Sequence, residues 1–80
     1  MSHVLHDLAA EFPDDIAIIH QLKLADAHFR ALTIRYHDTN REIHRIEAGS
    51  EAAADARVET LKKERLAMLD EAAAEIARRR

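Results

Sequence analysis

Six histidines stand in a chain of 80 residues, and with the carboxylates near them they are the groups best suited to hold a metal or move a proton. His3 and His6 are three apart, a spacing that sets two imidazoles on one helix face, with Asp7 beside them. Zinc requires three or four ligands. His20, His28, His37 and His44 are spread over several helical faces, and only His37 and His44, seven apart, share one. That separation is about two helical turns, too far for one ion. His3 and His6 remain weak metal candidates, solvated surface histidines are the preferred reading, and no cofactor is expected.

Asp26, His28 and Arg30 hold the makings of an acid and base group. Neighbouring helix residues point apart, however, and the chain carries no glycine-rich loop, no activated nucleophile and no strand to shape a pocket. An Asp26 to Arg30 ion pair four residues apart, with His28 flanking Phe29, is the simpler reading, and no enzyme activity is expected. Arg35, Arg41 and Arg45, then Lys62, Lys63 and Arg65, form a possible nucleic-acid face beside the terminal arginines. Asp38, Glu42, Glu59 and Glu64 interleave with them, and the net charge is −3. A solvated face with ion pairs is preferred, with a small nucleic-acid-associated helical protein as the alternative.

Helices must position all of these groups. Glycine and proline occur once each, while alanine, leucine, isoleucine, glutamate and arginine dominate. Pro13 lacks a backbone donor and disfavours helix at Phe12, so a short N-terminal helix over about residues 2–12 ends there. A long helix follows over about 14–48, opened by Asp14 and Asp15 at its positive end. Gly49 suits the left-handed position that closes a helix, and Ser50 caps a last helix over about 50–79. The whole, 1–80, reads as one all-α domain, an antiparallel helical hairpin with a coiled-coil-like seam. There is no cysteine and no apolar stretch near the roughly 20 residues that span a bilayer, so the expectation is a cytoplasmic protein away from membranes.

The seam is legible in the spacing. Ile18, Leu22, Ala25, Phe29, Leu32, Tyr36, Thr39, Ile43 and Ile46 alternate steps of four and three, and Val58, Leu61, Met68, Ala72 and Ile76 answer them from the last helix. Folding about Gly49 sets Leu22 by Ile76, Phe29 by Leu69, Leu32 by Leu66 and Tyr36 by Lys62. Thr39 and Asn40 then face Val58, and polar residues there fix the register. This register leaves Val4, Leu5, Leu8 and Phe12 without an intrachain partner. With Ile19, Leu66, Leu69 and Ile76 they are the expected oligomer interface of a homodimer or tetramer, since so short a chain has a small core. The expected function is a noncatalytic interaction or scaffold protein that self-associates and offers a charged surface to a protein partner.

One resemblance runs along nearly the whole chain. Phe12-Pro13, Leu22, Asp26-Ala27-His28-Phe29, Tyr36-His37, Glu42-Ile43-His44-Arg45-Ile46-Glu47 and Leu61-Lys62-Lys63-Glu64-Arg65-Leu66 together resemble the YdcH-like family. These are small bacterial proteins of unknown function, and the resemblance implies a helical hairpin, a bacterial source and no known enzyme activity. The chain departs from the family's pattern at Thr33, Ile34 and Arg35, at Thr39, and in the alanine-rich stretch 51–56.

Overall fold

A computed structural model describes residues 8–49 and 55–80. Two short 3-10 turns, Leu8–Glu11 and Pro13–Asp15, lead into three helices, α1 (Ile16–Ala25), α2 (Ala27–Glu47) and α3 (Asp55–Arg79). The described residues contain no strand, so the fold is all-α. The expected helix over 2–12 is a 3-10 turn in its described part. Its remainder, with Val4, Leu5, His3, His6 and Asp7, lies outside the described residues, as does the Ser50 cap.

The long helix expected over 14–48 is two helices. Asp26 adopts an extended conformation (φ −132°, ψ 108°) between them. Its N–H still donates to the Leu22 carbonyl at 2.9 Å, and its own carbonyl accepts from Arg30 N–H at 3.0 Å, so backbone bonding passes through the break. The Asp26 carboxylate accepts from the backbone N–H groups of His28 (2.9 Å) and Phe29 (3.3 Å), which have no intrahelical partner at a helix start. The Arg30 guanidinium reaches back to donate to the Lys23 carbonyl at 2.7 Å, satisfying the open end of α1. The expected Asp26 to Arg30 ion pair is therefore replaced by a junction in which each side chain caps one helix.

At the far end, Ala48 and Gly49 close α2. The Ala48 N–H donates to His44 and the Gly49 N–H to Ile46, and Gly49 takes φ +81°, the left-handed conformation its lack of Cβ permits. α3 runs antiparallel to α2, because its partners fall in number as those of α2 rise: His28 meets Glu71, Asn40 meets Arg65 and Glu42 meets Arg57.

The core lies in two clusters. Leu8, Ile19, Leu22, Phe29, Leu32 and Tyr36 pack with Met68, Ala72 and Ile76, joined at the edge by Ala9, Phe12, Ile18 and Leu69. Nearer the turn, Ile43, Ile46 and Leu61 pack with Val58. Leu22 and Ile76, like Phe29 and Leu69, share the larger cluster as the expected register sets them, and the register departs from expectation nearer the turn. Leu66 is 59% exposed and does not face Leu32, and Lys62 pairs with Glu47 at 2.9 Å instead of standing by Tyr36. Asn40 meets Arg65, while Val58 packs on the aliphatic cluster.

Candidate functional site

The surface is best built from what the break at Asp26 does to α1. In one continuous helix Ile19 and Ile34, fifteen residues apart, would stand about 22 Å from each other along the axis. With the chain bent at Asp26 they line a single groove of about 320 Å³, together with Leu8, Ala9, Lys23, Thr33 and His37. Apolar side chains form most of it, and Lys23, Thr33 and His37 supply polar groups. Ile34 is 61% exposed in this groove.

The residues assigned to an oligomer interface are distributed differently from expectation. Leu8, Ile19 and Ile76 are buried within the chain, while Phe12 and Leu69 are half-buried against the same core. The first 3-10 turn folds onto α1 and α2 and finds its partners there, which removes Leu8 and Phe12 from an open stripe. Of the described members, Leu66 alone is well exposed. The seam residues Leu22, Phe29, Leu32, Tyr36, Ile43, Leu61 and Met68 are buried, and Ile18 and Val58 half-buried, around the α2 and α3 contact.

The basic residues lie among carboxylates. Lys62 pairs with Glu47, whose pKa is lowered by that hydrogen bond and charge. Arg41 and Arg45 line a shallow depression with Asp38 and Glu42, and Glu42 also pairs with Arg57. Arg35 and Lys63 are exposed, and Arg65 donates to the Asn40 side-chain oxygen at 2.7 Å. His20, His37 and His44 do not come together, and no group of three metal-ligating side chains is found among the described residues.

Two contacts were not visible in the sequence. Arg80, at the end of α3, pairs with Asp15 at 2.7 Å and so ties the C-terminal end to the start of α1. Asp15 is only 9% exposed. His28 Nε2 lies 2.6 Å from Glu71 Oε2, linking the first turn of α2 to α3. The Glu71 hydrogen bond and charge raise the His28 pKa, with smaller contributions from Asp26 and Glu75.

A group whose pKa is raised by folding stabilises the fold fully below its unfolded value, near 6.5 for histidine, and loses that contribution as pH rises through the folded value. The melting temperature of the wild type should therefore exceed that of His28→Gln at about pH 5.5, with the gap narrowing by about pH 8.5. Thermal melts of both proteins across this range check it. A gap of constant size would show that the ion pair does not act through the imidazolium.

Among the described residues these features define a helical protein with a closed core, an open apolar groove and a charged exterior. No helix among the described residues is long and apolar enough to cross a membrane. The chain belongs to the family described as "Protein of unknown function (DUF465)", whose profile matches residues 29–78. The match starts at Phe29, just after the Asp26 junction, and so takes in nearly all of α2 and of α3. No curated protein and no solved structure matches the chain.

Proposed function

We propose that this chain is a noncatalytic interaction protein that pairs with a second copy of itself through the groove beside Ile34. The single observation that carries this reading is a large exposed isoleucine on the lining of an apolar groove. That combination is self-complementary. Under two-fold symmetry the Ile34 of each copy enters the groove of the other, and Lys23 and His37 form a polar margin.

A mostly apolar lining suits docking better than chemistry. The charged exterior is left for a protein partner, and the chain is read as a YdcH-like protein of the bacterial cytoplasm, a setting that suits a cysteine-free sequence.

Burying one isoleucine from each copy contributes about 1.5–3 kcal/mol apiece, so the association is weak and is best measured at submillimolar concentration. Light scattering after size exclusion should give a dimer mass for the wild type. Ile34→Asp should give a monomer with unchanged far-ultraviolet dichroism, because Ile34 contributes little to the folded monomer. A wild-type monomer at that concentration removes the proposal.

A further inference from the structure

A second cleft, of about 220 Å³, opens between the first 3-10 turn, α2 and α3, and shares no residue with the apolar groove. It is lined by Glu11, Tyr36, Asn40, His44, Arg65 and Leu69. Tyr36 and Asn40 are each 2% exposed, so polar side chains are built into the packed structure beside it. A buried asparagine on a helix-helix seam calls for a hydrogen-bonding partner, and Arg65 supplies one at 2.7 Å.

Arg65 differs from the other bonded cations of α3. Arg57, Lys62 and Arg78 each pair with a carboxylate, Glu42, Glu47 and Glu75 in turn, and the terminal Arg80 pairs with Asp15. Among the described residues Arg65 donates to a neutral amide and forms no ion pair. A guanidinium carries five N–H donors, and one bond to Asn40 leaves the planar fork able to take a carboxylate. Glu11, on the 3-10 turn, lines the same cleft and forms no ion pair among the described residues. The cleft thus holds one fixed cation and one carboxylate that do not neutralise each other by contact.

We propose that this cleft binds a small dipolar molecule carrying a carboxylate and an ammonium a few bonds apart. The carboxylate lies on the Arg65 guanidinium, beside Asn40 and His44. The ammonium lies toward Glu11, and the intervening methylenes rest on Leu69. A simple anion gains from Arg65 but meets the Glu11 carboxylate, and a simple cation meets the reverse, so a molecule with both charges is favoured over either.

Amide and side-chain NMR shifts, followed during titration with γ-aminobutyrate, acetate or ethylammonium, test this. γ-Aminobutyrate should give saturable shifts at the Asn40 side-chain amide and around Arg65. Acetate and ethylammonium should each bind at least about tenfold more weakly, the loss of one charge-assisted contact. Arg65→Gln and Glu11→Gln should each weaken γ-aminobutyrate by about the same factor. Glu11 is exposed and unpaired among the described residues, so its variant keeps the fold even where Arg65→Gln perturbs it. Three outcomes overturn the assignment: no saturable shift with γ-aminobutyrate, acetate binding as tightly, or full affinity in Glu11→Gln.

Discussion

Phe29→Ala should lower the unfolding free energy by about 3–5 kcal/mol, the range for truncating a fully buried aromatic side chain. Phe29 is wholly buried in the larger cluster, where residues from the 3-10 turn, α1, α2 and α3 converge. A domain of this length holds only about 5–10 kcal/mol of net stability, so much of it would go with one ring. Neighbouring side chains have little room to collapse into the cavity, because Leu22, Leu32 and Ala72 around it are themselves fully enclosed. Urea titration followed by dichroism measures the loss. A change under 1 kcal/mol would mean that the four elements do not meet at this residue.

Asp26→Ala should cost about 1–2 kcal/mol, while Asp26→Asn, which keeps a capping oxygen, should stay close to the wild type. The carboxylate is the acceptor for two backbone N–H groups at the start of α2, and alanine leaves both without a side-chain partner. Alanine also favours a continuous helix through the junction, which would carry Ile19 away from Ile34 and dismantle the groove. The same pair of urea titrations separates the cases. Equal stability of the alanine variant would show that Asp26 does not hold the bend.

Much of the core was legible from spacing alone. Leu22 and Phe29 are seven apart and both fully buried, so the apolar rhythm runs unbroken across Asp26. That continuity is why the break was hidden. Periodicity reports which face is buried, and a single extended residue between two helices can leave that phase intact while redirecting the axis. The signal that marks the junction is chemical: an aspartate able to cap, followed by free amides, with an arginine four residues on to close the preceding helix.

The groove follows from the same junction. Ala9, Thr33, Ile34 and His37 fall outside the seam positions, and only the bend brings them beside Ile19 and Lys23. The expected register departs from the structure at Leu66 and Lys62, nearer the turn, for a related reason. Pairing by symmetry about Gly49 treats the turn as having no width, whereas Lys62 meets Glu47 and the enclosed Met68 and Ala72 pack into the cluster in place of Leu66. The N-terminal stripe was expected to be open because a two-helix hairpin offers it nothing to cover. In the structure the first 3-10 turn packs back against α2, and Leu8 and Phe12 join the larger core cluster.

The measurement closest to the central claim is the amide NMR spectrum as a function of protein concentration. If two copies meet through the groove, the signals of Ala9, Thr33, Ile34 and His37 should move together on dilution. Those of Arg57 and Leu66, on other parts of the surface, should stay fixed, and Ile34→Asp should abolish the movement. Groove signals that hold still from submillimolar to low micromolar protein would contradict the account.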